Sequence, residues 1–221
     1  IDCPGQSEIR LNYRVYCREL SVRTSLVESD WALLNGACIF MTEVGAEKRN
    51  YKVQLQLPPQ WKSSYSGMAK LGEAFVAKSF DELIDCPIVA GNPAHYEFKV
   101  DSVPHHLINE GQTNVWDGPK SAADCQKVVE EVKKLWGFLP YAHTAPGNYH
   151  IFNILGPGGG GLEHHNSTVI MGSRFAQRNR KDYLGWLSLV AHEYFHAWNV
   201  KRLRPKALGP FDYENENYTP S

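Results

Sequence analysis

A pair of histidines four residues apart constrains this chain more than any other sequence feature. His192 and His196 flank Glu193 within the largely apolar run 190–198. On an α-helix, residues i and i+4 share one face, one turn apart, so both imidazoles can reach the same small cation. Glu193 lies at the edge of that face, where it can act on water without being a ligand. The pattern predicts a zinc site on a helix, with His192 and His196 as ligands and Glu193 as general base.

The sequence around this motif predicts a helix that is buried on nearly every side. Residues 183–198 are mostly aromatic or aliphatic, Asp182 is a candidate N-cap, and Pro205 limits the helix beyond its basic C-terminal end. Histidine and glutamate side chains inside such a helix are costly unless something satisfies them, and a divalent cation would do so. The alternative is a pair of core histidines that are hydrogen-bonded to the backbone.

Length and composition define the broad class of protein. With 221 residues, of which 43% are hydrophobic, the chain can form one large or two modest domains. A net charge of -1 gives no electrostatic case for nucleic acid, and no apolar run has the roughly 20 residues that a membrane span needs. The N-terminus resembles neither a start methionine nor a signal peptide, so we expect a piece of a longer protein.

The cysteines predict free thiols. Their number is odd and no two have metal-site spacing, which weakly favours a reducing, cytoplasmic location. Cys125 falls on the apolar side of a predicted helix, so packing explains it better than nucleophilic chemistry. The five are Cys3, Cys17, Cys38, Cys86 and Cys125.

Residues 1–114 read as an antiparallel β domain. Alternating apolar and polar residues predict strands at 9–16, 51–57 and 96–100, and short apolar runs predict further strands at 37–41 and 105–108. A single helical turn is expected at residues 79–83.

In residues 115–221 the spacing of apolar residues differs from the alternation seen in residues 1–114. Apolar residues at i, i+3 and i+4 spacings predict an amphipathic helix over 121–136, ended by Gly137. Strands are expected at 149–155 and 167–171, before the histidine-bearing helix. The two segments together predict an α+β protein with its chemistry in the second half.

A second candidate site precedes that helix. It is the run Gly160-Gly161-Leu162-Glu163-His164. The glycines permit close approach of another backbone, Glu163 can receive a substrate amine, and an exposed strand edge can pair with an extended peptide. A glycine-rich loop with a solvated Glu163 is the plainer alternative. His164 and His165 are further, weaker candidates for metal ligands.

These motifs together resemble the glycyl aminopeptidase family of zinc metallopeptidases. The resemblance rests mainly on residues 192–205, and also on 16–24, 160–164, 166–168 and 216–219. It implies a β domain, then the first part of a thermolysin-like (gluzincin) catalytic domain, often followed by a PDZ domain. It further implies an aminopeptidase that favours N-terminal glycine or other small residues, with Glu163 holding the free α-amino group of the peptide.

The resemblance also implies a third zinc ligand that the motifs above do not supply. In the family this ligand is a glutamate on a following helix, and the sequence ends before the corresponding segment. We therefore expect that glutamate beyond Ser221, with Glu214 or Glu216 as substitutes on spacing alone.

Other functions remain open on the same residues. A thermolysin-type endopeptidase would not use Glu163 as an amine anchor, and epoxide hydrolysis is a further chemistry of the gluzincin scaffold. A third alternative is not an enzyme: a peptide-binding or structural module that kept the scaffold but lost its metal. The retention of Glu193 argues against the last, because a scaffold alone does not need that carboxylate.

Overall fold

The computed structural model of the protein describes residues 4–5, 7–142, 146–206, 209–210, 212–213 and 215. The strands among them are β1 (Leu26–Val27), β2 (Ala32–Leu34), β3 (Tyr51–Val53), β4 (Ser63–Ser66), β5 (Ala69–Leu71), β6 (Ala74–Ala77), β7 (Ile88–Gly91), β8 (Ala94–Val100), β9 (Val103–Glu110), β10 (Tyr149–Leu155), β11 (Gly160–Glu163) and β12 (Ser167–Gly172). The α-helices are α1 (Gly36–Ile39), α2 (Phe80–Ile84), α3 (Gly118–Trp136) and α4 (Arg180–Phe195), and a 3₁₀ turn spans Ala176–Arg178.

Two antiparallel sheets form the N-terminal part. One has the strand order β1-β2-β7-β4 and the other has the order β3-β6-β5. Together with the helices that follow, they confirm the predicted α+β class. The helical turn expected at residues 79–83 is also confirmed as α2, where the Ser79 side chain accepts a hydrogen bond from the Glu82 amide at 3.1 Å.

Three strand predictions in this region are wrong in whole or part. Residues 9–16 alternate as a strand should, yet they form none, because alternation does not supply a backbone partner. Only Tyr51–Val53 of the segment 51–57 is a strand. Most of residues 37–41 lies in or next to α1, where the Asn35 side chain caps the Ala37 amide and Gly36 lies against α2. A Cβ at Gly36 would come within 2.7 Å of Ile84 Cα.

A five-stranded mixed sheet joins the two predicted segments. Its order is β11-β12-β10-β9-β8, with β10 parallel to both neighbours and the outer pairs antiparallel. The predicted strands at 96–100, 105–108, 149–155 and 167–171 and the helix α3 are confirmed. Strands β8 and β9 come from before residue 114, so this sheet draws on both of the proposed segments, 1–114 and 115–221.

Both faces of the central sheet are covered, so every residue of β10 is buried. On one face α3 and α4 pack through residues such as Cys125, Val129, Trp186, Val190 and Tyr194. On the other face the first N-terminal sheet contributes Leu33 and Val89 against Phe152 and Val169. The four described cysteines, Cys17, Cys38, Cys86 and Cys125, are free thiols. No helix in the described part of the chain combines the length and apolarity needed to cross a bilayer.

A buried polar chain ties α4 to this sheet. The Trp186 indole donates to the Asn153 carbonyl oxygen at 3.0 Å, and the Asn153 amide donates to the Asn109 side chain at 2.8 Å. Both asparagines are fully buried, so each of these hydrogen bonds would be costly to lose. The network links α4 to the strands β10 and β9.

His105 lies beneath α4, and its burial leads us to expect that the stability of the fold falls at acidic pH. It is fully buried; its Nδ1 donates to the Val103 carbonyl at 3.0 Å, and its Nε2 faces the Tyr194 hydroxyl at 2.9 Å. Burial lowers the pKa of His105 to about 4. Since an unfolded histidine titrates near 6.5, the unfolded state binds the extra proton first as pH falls. The free energy of unfolding should therefore lose about 3 kcal/mol from this residue by pH 4.

Denaturant unfolding of wild type and His105→Gln at pH 7 and pH 4 measures this contribution. Glutamine does not titrate, so the variant should lose less stability between the two pH values than the wild type. The buried His150, whose pKa is also well below its usual value mainly because of burial, is present in both proteins. Equal pH losses in the two proteins would rule out His105 as the titrating group.

Candidate metal and substrate site

Helix α4 carries His192 and Glu193 in its last turn, and His196 is the C-cap residue that directly follows it. The helix begins after Asn179, whose side chain accepts from the Asp182 amide at 2.9 Å, so Asn179 is the N-cap and the assignment of Asp182 to that position is wrong. Asp182 lies in the first turn instead. The helix is not buried on every side, since Leu184 is 47% exposed and His192 is exposed as well. His192 therefore faces outward at the end of a helix whose other face is core.

The two histidine rings converge on one point. Their Nε2 atoms are 3.2 Å apart, and the ring planes are nearly perpendicular at 89°. Two nitrogens on a tetrahedral zinc ion, each at roughly 2.0–2.1 Å from the metal, are about 3.3 Å from each other. The separation fits a shared zinc ion, which confirms that the i, i+4 spacing brings the rings together.

The turn after α4 orients the second histidine. The Nδ1 of His196 donates to the Asn199 carbonyl at 3.0 Å, which leaves Nε2 unprotonated and free to bind a metal in the neutral ring. Val200, which follows Asn199, has φ of +92°. This conformation is strained for a β-branched residue. Hydrogen bonds from the Val200 amide to Leu203 and from the Lys201 amide to the His196 carbonyl close this turn.

Glu193 is the most enclosed charged group of the site. It is 4% exposed, and its carboxylate lies so close to Gly161 that a Cβ there would be 2.1 Å from Oε1. Burial raises the pKa of Glu193, and the neighbouring Glu163 carboxylate adds to the effect, while His192 and His196 oppose it. A buried carboxylate with a raised pKa is a stronger base than a solvated one.

Strand β11 places Glu163 beside this carboxylate. Successive side chains of a strand point to opposite faces, so Gly161 and Glu163 face α4 together. One ligand atom from each of Glu163, Glu193 and His196 lies within 4.8 Å of the other two. β11 is also an edge strand of the sheet, so its outer edge has no strand partner in the described part of the chain.

The other residues of the predicted glycine-rich site have different surroundings. Gly160 is exposed and has φ of +105°, a conformation that suits glycine. Leu162 packs with the core that faces the N-terminal sheet. His164 also lies on that side, where its Nδ1 contacts Asp85 Oδ1 at 3.1 Å. The alternative third ligands Glu214 and Glu216 lie outside the described residues.

Asp85 lies at the site but is absent from the sequence motifs, and the structure gives Arg202, which lies within the motif block 192–205, contacts that the motif does not predict. Asp85 follows α2 in the N-terminal segment yet contacts His164 and Lys201, and the Arg202 guanidinium donates to the Ala197 and His165 carbonyls at 2.6 and 3.2 Å. A cavity of about 740 Å³ opens beside them and reaches Glu163. Lys201 and Arg202 are visible in the sequence as a basic run at the end of the helix and as part of the block 192–205, but neither signal predicts these contacts. Nothing in the sequence near Asp85 points to the site.

Comparison with known proteins gives two family matches. The peptidase M61 N-terminal domain matches residues 1–92, and the M61 glycyl aminopeptidase matches residues 185–221, so the two together cover more than half of the chain. The second match includes His192, Glu193 and His196. A search of curated proteins found no match.

A solved structure is similar over nearly the whole chain. It is the crystal structure of an aminopeptidase N family protein from Idiomarina loihiensis, with 32% sequence identity and a TM-score of 0.84. The match covers 92% of this chain and 36% of that protein. The chain therefore spans about a third of the length of this relative.

Proposed function

The chain belongs to the M61 glycyl aminopeptidase family, and on that premise we propose that it forms part of a zinc-dependent aminopeptidase. Its substrate would be a peptide with a free N-terminus, preferably one that begins with glycine or another small residue. Cleavage would release that first residue. His192 and His196 would hold the zinc ion, Glu193 would act as general base, and Glu163 would bind the α-ammonium group.

The closeness of Glu163 to Glu193 and His196 carries this proposal. One ligand atom from each of the three lies within 4.8 Å of the others. In a peptide the α-nitrogen is only about 2.5 Å from the carbonyl carbon of the same residue, given the two bond lengths between them. An ammonium group held by Glu163 would thus leave the first carbonyl beside Glu193 and His196, which favours cleavage of the first peptide bond.

Each residue of the site would have a separate role in the reaction. Zn²⁺ would supply a Lewis acid that polarises the scissile carbonyl and increases the acidity of water. Glu193 would take a proton from the attacking water and pass it to the leaving amine, a role that its raised pKa supports. The Asn199 carbonyl would hold His196 in the tautomer that binds metal. The free edge of β11 would align the peptide backbone by strand addition.

Hydrolytic zinc sites use three protein ligands, so the proposal includes one more besides His192 and His196. We assign it to a glutamate outside the described residues, as the family resemblance implies. Glu193 is left unbound by this assignment, which its role as a base requires.

The decisive experiment compares a glycyl peptide with its N-acetylated counterpart, using the zinc-loaded full-length protein and elemental analysis of the same sample. Stoichiometric zinc and cleavage of the free peptide alone would support the aminopeptidase. Cleavage of both peptides would favour a thermolysin-type endopeptidase. A protein that binds no zinc would instead be a peptide-binding or structural module.

Replacing Glu163 by glutamine tests the amine anchor. The variant loses a charge-assisted contact with the ammonium group, so KM for the glycyl peptide should rise about thirtyfold, or ~2 kcal/mol. Zinc content should not change. Glu82→Gln is the matched control, since Glu82 lines the same cavity but its Oε2 accepts from the Lys78 amide at 2.7 Å. A wild-type KM in Glu163→Gln would contradict the anchoring role.

A further inference from the structure

Asp85 joins the two elements that carry the candidate site, although it comes from neither. It follows α2, more than 70 residues before the glycine-rich strand in the sequence. We propose that Asp85 is a positioning residue that fixes the amine-anchoring strand β11 relative to the metal-binding end of α4. This inference rests on the proposed function, because it concerns how Glu163 is placed with respect to His196 and Glu193.

On the β11 side, both carboxylate oxygens of Asp85 hold the residues after Glu163. Oδ1 contacts His164 Nδ1 at 3.1 Å, and Oδ2 accepts from the His165 amide at 3.0 Å. His164 is 4% exposed, and its other ring nitrogen has no hydrogen-bond partner within the described ranges. Within the described ranges, Asp85 is thus the hydrogen-bond partner of this buried imidazole, and Glu163 is the residue directly before it.

On the α4 side, Asp85 holds the turn that orients a metal ligand. Its Oδ1 accepts from Lys201 Nζ at 3.0 Å, and the Lys201 amide donates to the His196 carbonyl at 3.2 Å. This is the turn in which Val200 has φ of +92° and Asn199 directs the His196 ring. A strained turn persists only where its surroundings fix it, and Lys201 is one of the residues that anchor it.

The support beneath Asp85 is rigid enough for this role. The Asp85 amide donates to the Asp81 carbonyl at 3.0 Å and so ends α2. α2 in turn packs tightly on Gly36, where no side chain would fit. Burial alone would raise the pKa of Asp85, but the His164 hydrogen bond and the Lys201 charge outweigh it and lower the pKa, so the carboxylate stays ionised.

Asparagine at this position is the sharpest test. All three groups around Asp85 donate hydrogen bonds. His164 and Lys201 donate to Oδ1, and the His165 amide donates to Oδ2. An asparagine offers one oxygen and one NH₂. The NH₂ would face the His165 amide if it replaced Oδ2, or both His164 and Lys201 if it replaced Oδ1. The variant Asp85→Asn should therefore loosen β11 in either orientation of the amide, and the turn after α4 as well in one of them, with little change in side-chain volume.

We expect Asp85→Asn, made in the zinc-loaded full-length protein, to raise KM for a glycyl peptide about tenfold with kcat changed less than threefold. Zinc content by elemental analysis should equal that of the wild type. Glu82→Gln, in the same cavity and on the same helix, should leave KM unchanged. A wild-type KM in Asp85→Asn, or a loss of zinc with an equal fall in kcat and kcat/KM, would overturn the positioning role.

Binding measured without turnover separates this inference from the proposed function. In the Glu193→Gln background, calorimetry should give tighter binding of the glycyl peptide than of its acetylated form, and adding Asp85→Asn should weaken the former about tenfold. A parent that binds both peptides equally overturns the proposed function and the inference with it. A parent that prefers the free amine, with no effect of Asp85→Asn, overturns the inference alone.

A second variant covers the case in which Asp85→Asn does not fold. Lys201→Met removes the partner of Asp85 on the α4 side and keeps the apolar stem of the side chain. It should raise KM for the glycyl peptide about threefold with zinc retained, and an unchanged KM would overturn the proposal.

Discussion

Replacing Glu193 by glutamine is expected to lower kcat for a glycyl peptide about 10³-fold while zinc stays bound. The amide keeps the shape of the side chain but cannot accept a proton from water, and general base catalysis contributes about 10²–10⁴-fold. The proposed metal ligands His192 and His196 are untouched, and the enclosure of residue 193 against Gly161 is preserved. Since the amide is neutral, removal of a partly desolvated charge should also leave stability at or above that of the wild type.

Steady-state kinetics and elemental analysis on the same preparation measure this effect. Glu163→Gln serves as the contrast, because it should act mainly on KM and Glu193→Gln mainly on kcat. Wild-type turnover by the zinc-loaded Glu193→Gln protein would show that another group is the base. A variant that had lost its zinc would mean that Glu193 holds the metal.

The convergence of the two histidines was predictable because its geometry is local. Residues four apart on a helix face the same way whatever surrounds them, and the 3.2 Å between the His192 and His196 ring nitrogens follows from that spacing. The strands 149–155 and 167–171 were also predictable, since both are buried apolar runs with turn residues beside them. The sequence therefore predicted how the histidine pair is arranged, but not the residues that surround it.

What sequence reasoning missed depends on contacts between distant residues. Residues 37–41 look like a strand, but α1 forms because Gly36 meets α2 some 47 positions later. Residues 9–16 alternate like a strand and yet have no strand partner in the described part of the chain. Asp85 shows no motif at all, because its role arises only when the fold brings it to His164 and Lys201. No local pattern encodes such pairings.

Gly161→Ala is expected to lower kcat about a hundredfold without removing zinc. A Cβ at this position would lie 2.1 Å from Glu193 Oε1 and 2.4 Å from its Cγ, so the buried carboxylate must move. A displacement of about 1 Å in a reacting group can cost about 10²-fold in rate. His192 and His196 are not among the atoms nearest to the new methyl group, all of which belong to Glu193. The loss should therefore fall on the base and spare the metal.

Gly159→Ala is the matched control for this prediction. Gly159 lies two residues earlier in the same glycine run, a Cβ added there would have no atom within 4 Å, and its φ is not in the left-handed region. It should keep wild-type kcat, which separates the contact with Glu193 from a general loss of loop flexibility. If both variants lost activity equally, flexibility of the run would be the cause. If Gly161→Ala kept full activity, Glu193 would have room to move and the close contact would not set the rate. A lower kcat in Gly161→Ala but not in Gly159→Ala would show that Gly161 is needed to leave room for the Glu193 carboxylate, and not for backbone flexibility.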